Sequence, residues 1–442
     1  MIIISIVIVL FIVLFILVIS KHKIYKYNQK QDYIYDFKNP KVFELDDINL
    51  EEYKRDETLI LKLKLKSNFL SKIFLPYLEI SNINKKEKTF FEYGLNGMRY
   101  IDISSFAGNS SIKIDSKMCK ITSKKVEIFS YDNLNIKEKK VLIIAPHPDD
   151  AEISSFGLYS SAKESFIVTV TAGEGSCKFC DFDCDKELKA KIKGNLRIFD
   201  ALTTGLLGKV KYENSLVLGY FNETIKIMYE NKNKLVSSKT AGISDINYFR
   251  RVNHSNIVTN SKPKSNWDSL LNDFECIINS IKPDLIVTLH PQIDSNIDHK
   301  YITLAIIEAM EKLNCEEIKL LTLTNHLTQN EFYPYGNMFS TTALAPRFKT
   351  SFIFDSIYSH KLSREQQIYK YYALESMHDL RDSTIQIGFK KAFLFAFRQL
   401  RRYLSGKEKS YYRRSVRTNE IFYVTNYKDL KRAYEDILWK NI

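Results

Sequence analysis

Histidine and aspartate side chains follow two strongly apolar segments of this chain. Val141–Ala145 leads directly into Pro146–Glu152, which reads PHPDDAE, and Leu285–Leu289 leads into His290–His299. Two histidines and one carboxylate, with one position left open, are a ligand set of catalytic zinc. Zinc lowers the pKa of its bound water to about 7, and a second carboxylate in the same turn can accept that water's proton. These segments therefore predict a hydrolytic zinc site.

A parallel sheet would bring the two segments together. Val141–Ala145, Phe166–Val170 and Leu285–Leu289 are continuous apolar runs, typical of strands that are covered on both faces. Helical patterns lie between them, for example over Trp267–Ile281. Repeated β-α units predict a doubly wound, Rossmann-like α/β sheet with mainly parallel strands and flanking helices. Sites of such sheets lie beyond the carboxyl ends of the strands, where both segments begin.

Pro146–Glu152 also resembles the signature of a known family, the PIG-L/LmbE-like zinc-dependent N-acetylglucosaminyl deacetylases. The resemblance covers most of residues 140–348 and includes Thr171–Glu174 and the pair Asp298–His299. It implies the fold of that family and Zn²⁺ as the cofactor. It also implies an enzyme that hydrolyses the acetamide of an N-acetyl amino sugar.

The family pattern implies a role for each matching position. His147, Asp150 and His299 would be the zinc ligands, and Asp149 would be the general base that activates the water. Asp298 would orient His299 from behind.

Asn296 departs from the family pattern, because members usually have a histidine there that assists the oxyanion or the leaving group. An amide donates a hydrogen bond but carries no proton at neutral pH. Either Asn296 stabilises the oxyanion as a neutral donor, or a neighbour such as His290 supplies the proton, or the enzyme is slow or inactive. The last case gives an alternative function, a catalytically impaired glycan-binding or scaffold protein of envelope polysaccharide assembly.

Three further residues are expected to contact the substrate. Glu174 follows the second apolar strand, and Asp294 lies between His290 and His299. His326 follows another apolar run. A lone histidine such as His326 is more often structural than functional.

Other interpretations of these residues stay open. Asp149 and Asp150 could cap the following helix, and a His-x-Asp with a distant histidine is also the iron triad of non-heme oxygenases. A zinc amidase that acts on a small thiol or an antibiotic-like amide is a third possible activity. Cys177, Cys180 and Cys184 could hold a second metal or could be reduced thiols in a loop.

The flanking regions give less specific signals. Residues 33–139 alternate apolar and polar side chains in short runs and predict a small β-sandwich-like domain, for packing support or glycan contact. Residues 349–442 predict a basic, aromatic helical region that packs on the catalytic domain of residues 140–348. Within it, Phe389–Leu404 suits either a core helix or an interfacial helix on anionic lipid.

Charge and hydropathy predict a location. The chain has 442 residues with 65 Lys and Arg against 52 Asp and Glu, a net charge of +13 that favours an anionic partner. Residues 1–20 are apolar and uncharged, long enough to cross a bilayer as a helix, and a basic linker follows over residues 21–32. Positive charge favours the cytoplasmic side. We therefore expect a single-pass transmembrane helix in the inner (cytoplasmic) membrane, with the catalytic domain in the cytoplasm. The expected partners are the lipid bilayer and an anionic, lipopolysaccharide-core-like glycolipid or polysaccharide, and no nucleic acid.

Overall fold

The computed structural model of the chain divides into two compact units. The first unit comprises Met1–Asn133, Leu327–Thr350 and Arg417–Asn419, and the second comprises Leu134–His326, Ser351–Val416 and Glu420–Ile442. The structure describes residues 2–22, 25–109, 111–177, 184–327, 332–348, 354–380, 388–390, 392–397, 411–430, 432 and 435.

Helix α1 opens the first unit and covers Ile2–His22. Its side chains are described for residues 3–13, and all of these are exposed. Within the described residues, no helix combines the length and the apolar character needed to cross a membrane. The transmembrane helix predicted over residues 1–20 is therefore not confirmed. Residue 1 and the side chains of residues 2 and 14–20 lie outside the described set.

Antiparallel strands form the rest of the first unit. They are β1 Lys41–Glu44, β2 Thr58–Ser67, β3 Tyr77–Ser81, β4 Lys86–Phe90, β5 Asn96–Asp102, β6 Lys113–Lys117, β7 Cys119–Ile121 and β8 Lys125–Tyr131. One sheet has the order β1-β8-β2-β5 with β7 beside β2, and the other has the order β4-β3-β6. The predicted β-rich region before the catalytic domain is confirmed.

Strand β2 shows why this region folds as a sheet. Leu59, Leu61, Leu63 and Leu65 are fully buried, whereas the intervening Lys64 is exposed. Successive side chains of a strand point to opposite faces, so this alternation gives β2 one face in the core and one toward water.

The second unit is built on a seven-stranded sheet flanked by helices. Its strands are β9 Lys140–Ala145, β10 Glu164–Thr171, β11 Ser215–Tyr220, β12 Leu285–Leu289, β13 Lys319–Leu323, β14 Ser356–Lys361 and β15 Asn419–Thr425. Its helices are α2 Asp150–Ser161, α3 Lys186–Thr203, α4 Ile225–Glu230, α5 Asn247–Arg250, α6 Trp267–Ile281, α7 Ile297–Lys312, α8 Arg364–Ser376 and α9 Tyr411–Arg414.

The strand order is β11-β10-β9-β12-β13-β15-β14. Neighbours from β11 to β13 pair in parallel, and β15 pairs antiparallel with β13. The predicted α/β fold with parallel strands is confirmed, and the sheet is mixed because β15 runs the other way.

Strand β9 is covered on both of its faces. Leu142 and Ile144 join one hydrophobic core, and Val141 and Ile143 join another. Burial on both sides explains why β9 reads as a continuous apolar run rather than an alternating one.

The region of residues 349–442, predicted to be helical, also supplies strand β15 and the edge strand β14. This part of the prediction was wrong because short apolar runs such as that of β15 carry no decisive periodicity. Pairing with β13, which lies far away in the sequence, fixes β15 as a strand.

Candidate metal centre

The candidate site lies where the chain reverses its direction of travel across the sheet. From β9 the chain proceeds outward through β10 to β11, and it later returns to the other side of β9 with β12 and β13. The parallel neighbours β9 and β12 therefore end side by side at a switch point, where ligands of open α/β sheets bind. The two segments identified in the sequence start at these strand ends.

His147, Asp150 and His299 converge at this point. One potential ligand atom from each lies within 4.8 Å of the other two, and all three residues are buried. The Nδ1 atom of His147 is 3.2 Å from Oδ2 of Asp150 and 3.1 Å from Nε2 of His299. The same Oδ2 is 3.1 Å from Nε2 of His299.

Local hydrogen bonds aim each of these side chains. Oδ2 of Asp150 accepts a bond of 2.9 Å from the backbone N–H of His147, which closes the turn before α2. Its Oδ1 accepts a bond of 2.7 Å from the side chain of Asn325, beyond the end of β13. His299 lies in the first turn of α7, and its Nδ1 is 2.9 Å from Oδ1 of Asp294. That contact directs the other ring nitrogen of His299 toward His147 and Asp150.

The charges around this point favour a cation. Burial lowers the pKa of His147, but hydrogen bonds with Asp150 and Asp298 outweigh it and raise that pKa to about 9. The pKa of His299 is likewise raised, because Asp150 and Asp294 outweigh its burial. Burial would raise the pKa of Asp150, yet the two histidines hold it well below its usual range. A divalent cation would supply the positive charge that a proton otherwise provides.

The donor set fits zinc, which takes histidine nitrogen and carboxylate oxygen. Oδ1 of Asp298 is also buried without a hydrogen-bond partner among the described residues, and Oδ2 of the same carboxylate lies 3.5 Å from Nε2 of His147. Buried polar atoms are normally satisfied, so Oδ1 is available to a cation or to its water.

Asp149, the predicted general base, is held by an arginine. Its Oδ1 is 2.9 Å from Nη2 of Arg197, on α3. Burial raises the pKa of Asp149, and Arg197 opposes that rise. The side chain of Asp149 makes no capping hydrogen bond to α2. Asp149 occupies the N-cap position of α2 and Asp150 lies in its first turn, so the helix-capping interpretation holds for their positions but not for a side-chain hydrogen bond from Asp149.

The two other aspartates occupy different places from those expected of them. Asp294 was expected to contact substrate, but it is buried behind His299, and its Oδ2 accepts from the backbone N–H groups of Asn325 and His326. Asp298 was expected behind His299, but its Oδ2 lies 3.5 Å from Nε2 of His147 and accepts from the backbone N–H of Glu223.

Glu174 and His290 are also held by their surroundings. Both carboxylate oxygens of Glu174 accept from the backbone N–H of Asn222 at 3.1 Å, and one accepts from Ser238. Glu174 therefore ties together loops rather than facing open space. Nδ1 of His290 accepts from two backbone N–H groups of its own turn, each at 3.1 Å, and its ring lies edge-on to Tyr423.

Asn296 and His326 flank His299. The side-chain oxygen of Asn296 caps α7 by accepting from the backbone N–H of Asp298 at 2.9 Å, which leaves its amide N–H₂ to donate. The ring of His326 is partly buried and lies 5.7 Å from the ring of His299, measured between centroids.

Arg197, Asn325 and Asp379 were not predicted. Asn325 directly precedes His326 in the same loop, so the polar run after β13 was its only signal. Arg197 and Asp379 lie far from the motif in the sequence, and charged side chains at such positions are ordinarily solvent-exposed. In the cysteine-rich segment, Cys177 is disulfide-bonded and Cys184 is a free thiol, whereas Cys180 lies outside the described residues.

Comparison with known proteins confirms the family resemblance. The family model described as "PIG-L: GlcNAc-PI de-N-acetylase" matches residues 142–310, which include all three candidate ligands. No curated protein matches the chain.

Solved structures give more distant matches. A deacetylase–teicoplanin complex from teicoplanin biosynthesis is 14% identical, with 65% of this chain and 98% of that chain covered and a TM-score of 0.27. The 4-carboxy-2-hydroxymuconate hydratase GalB from Pseudomonas putida is 12% identical, with 65% and 95% covered and a TM-score of 0.30. A conserved protein from Thermus thermophilus is 12% identical, with 64% and 93% covered and a TM-score of 0.27.

Proposed function

We propose that this chain, with its PIG-L domain, is a zinc-dependent hydrolase that removes the acetyl group from an N-acetyl amino sugar. One observation carries the proposal: His147, Asp150 and His299, which all lie within the stretch that the PIG-L family model matches, converge within 4.8 Å at the switch point of the sheet. The sugar class comes from the family description and is part of the proposal.

A zinc ion held by His147, Asp150 and His299 would supply an acidified water and polarise the acetamide carbonyl. Asp149 takes the proton of the attacking water, because its carboxylate lies in the same turn as two ligands and its raised pKa makes it a stronger base. Arg197 holds that carboxylate in place through the contact of 2.9 Å.

The leaving amine also needs a proton or a hydrogen bond. Asn296 can donate through its amide N–H₂ but cannot transfer a proton. His326 is an imidazole beside His299, and we assign it to the leaving group. Replacing His326 with Gln should lower kcat more than it changes KM. Equal kcat values for variant and wild type would return this role to Asp149 alone.

We also propose that the substrate is membrane-linked and that the enzyme works at the anionic, cytoplasmic surface of the inner membrane. Residues 1–20 are apolar in sequence, and the described side chains of α1 are exposed. Residues 389, 390 and 392–397 are helical, and Phe389, Phe393 and Phe397 are 87%, 60% and 54% exposed. Basic residues around such a helix suit anionic lipid.

The function is tested by acetate release from a panel of N-acetylated glycolipids and oligosaccharides. Purified protein loaded with Zn²⁺ should release acetate, and a chelator should abolish the release until Zn²⁺ is restored. A protein that binds both metal and a glycan of the panel but releases no acetate would support the alternative, a glycan-binding protein. Metal analysis that finds iron and no zinc in the purified protein would favour the oxygenase interpretation.

A further inference from the structure

Arg197 connects the predicted base to the C-terminal part of the second unit. Its Nη2 lies 2.9 Å from Oδ1 of Asp149, and its Nη1 lies 3.4 Å from Oδ2 of Asp379. The side chain of Arg197 is buried, so these carboxylates bind a guanidinium that is largely shielded from water. Asp379 lies outside residues 142–310, the stretch that the family model matches.

The guanidinium of Arg197 lies directly against Gly173. Nη1 of Arg197 donates to the carbonyl oxygen of Gly173 at 3.2 Å. Gly173 has φ of +60°, and a Cβ there would lie 2.6 Å from Nη1 of Arg197 and 2.9 Å from Cδ of Pro148. A side chain at this position would be strained by the positive φ and would crowd both Arg197 and Pro148, so glycine suits the close approach of the guanidinium to this loop.

Asp379 is itself held by α3. Nζ of Lys193, one turn before Arg197, lies 3.3 Å from Oδ2 of Asp379. The preceding residue, His378, contacts Asp200 of α3 twice, through its ring Nδ1 and its backbone N–H, each at 2.8 Å. The segment is therefore fixed to α3 through His378 even when the Asp379 carboxylate is removed.

We propose that Asp379 is a positioning residue of the active site, which orients Arg197 and through it the carboxylate of Asp149. Arginine presents its donors in a rigid, planar fork, so acceptors on both terminal nitrogens fix the plane of the group. Without Asp379, Nη1 loses its charged acceptor and retains the Gly173 carbonyl, so the guanidinium gains freedom to turn away from Asp149. The catalytic consequence rests on the proposed deacetylation, but the orientation of Asp149 does not.

The kinetic test uses Asp379→Ala, Asp379→Asn and Asp379→Glu in the full-length protein. Loss of a partner behind an active-site residue typically costs 10- to 100-fold, so Asp379→Ala should lower kcat by about that factor with KM within about twofold. Asp379→Asn keeps the shape of the side chain without its charge, so its kcat should lie between those of Asp379→Ala and the wild type. Asp379→Glu keeps the charge and should retain most of the wild-type kcat. Glu375→Gln is the matched control, because Glu375 pairs with Arg413 at the end of α8.

A second readout needs no activity. A water-soluble carbodiimide modifies exposed, unpaired carboxylates, and peptide mass spectrometry reports the rate at Asp149. That rate should rise several-fold in Asp379→Ala and stay at the wild-type level in Asp379→Glu and Glu375→Gln, with zinc stoichiometry unchanged. Faster labelling in a protein that releases no acetate would support the positioning role while the proposed function fails. The inference would be overturned if the labelling rate at Asp149 were unchanged in both Asp379→Ala and Asp379→Asn. It would also be overturned if the kcat of both variants equalled that of Glu375→Gln.

Discussion

At the scale of single residues, the candidate site separates two neighbouring aspartates by their contacts. Asp150 faces the two histidines, and Asp149 faces Arg197 instead. Adjacent residues of one turn can thus divide metal binding from proton transfer, because their side chains leave the backbone in different directions.

This division predicts the behaviour of Asp149→Asn. The variant keeps the three candidate ligands and should bind zinc with the wild-type stoichiometry, measured by elemental analysis. Its turnover should fall by about 10²- to 10⁴-fold, the usual contribution of a general base. Asp268→Asn is the control, because Asp268 is exposed on α6. Turnover equal to that of the control would remove Asp149 from the role of base.

A buried acid near the site predicts a dependence of stability on pH. Burial raises the pKa of Glu152 to about 8, although bonds from Thr204 and Tyr159 oppose the rise. The folded state therefore holds this proton more tightly than the unfolded state does. Its contribution to stability is fully present below the ordinary pKa of glutamate and is lost as pH rises toward 8, by at most about 1.4 kcal/mol for each pH unit.

Glu152→Gln should remove that dependence, because the amide keeps the shape without titrating. The free energy of unfolding, measured by urea titration from pH 5 to about 9, should fall less steeply with pH in the variant than in the wild type. Parallel curves would show that Glu152 is not the group responsible.

The residues differ in how far the sequence could predict them. His147, Asp149, Asp150 and His299 belong to two segments that each follow a buried strand, and the family resemblance of these segments was enough to select the four residues. Arg197 and Asp379 act through contacts between distant segments, which leave no local pattern. Asp294 was within the motif, but whether its side chain points in front of His299 or behind it depends on the turn geometry.

At the scale of elements, Asp149 directly precedes α2 and Asp150 begins it, and this helix is interrupted within its second turn. Ser155 has φ of −138° and ψ of 21°, which breaks the helical hydrogen-bond series there. The backbone N–H groups of Gly157 and Leu158 donate to the carboxylate of Glu420, on β15, at 3.0 Å each. The Nζ of Lys370, on α8, donates to the same carboxylate at 2.9 Å. One buried acid thus joins α2, α8 and the sheet.

Removing Glu420 should therefore be strongly destabilising. Glu420→Ala leaves the buried Lys370 ammonium and two backbone N–H groups without this partner, at a cost of about 3–5 kcal/mol. The double variant Glu420→Leu with Lys370→Met removes the buried charge and should lose less stability in urea unfolding. A double variant as unstable as Glu420→Ala would locate the cost in the backbone N–H groups rather than in the unpaired lysine.

The elements that position the site were predictable where burial was two-sided. The apolar runs of β9, β10 and β12 and the apolar spacing of α6 have clear patterns, and each forms as predicted. The order of the strands places β9 beside β12. This order depends on pairing between segments that are distant in the sequence, so no single segment predicts it.

At the scale of the whole molecule, the net charge of +13 and the exposed aromatic side chains of residues 389–397 bear on where the enzyme works. Full burial of a phenylalanine side chain is worth at least about 1.5 kcal/mol, which corresponds to roughly tenfold in a partition constant. Exposed phenylalanines on a basic helix would gain this energy only at an interface. Anionic lipid adds an attraction that salt weakens.

The membrane proposal therefore predicts how the protein distributes between buffer and lipid vesicles. Protein lacking residues 1–22 should still sediment with vesicles of phosphatidylglycerol and phosphatidylcholine, and less with phosphatidylcholine alone. Phe393→Ser should weaken binding by up to about tenfold, whereas the exposed Phe69→Ser in the first unit should have no effect. Binding that is insensitive to Phe393→Ser would contradict a role for this helix. Failure of the truncated protein to sediment with either lipid composition would leave the apolar N-terminal residues as the remaining basis for a membrane location. In that case only protein that retains residues 1–22 should sediment with the vesicles.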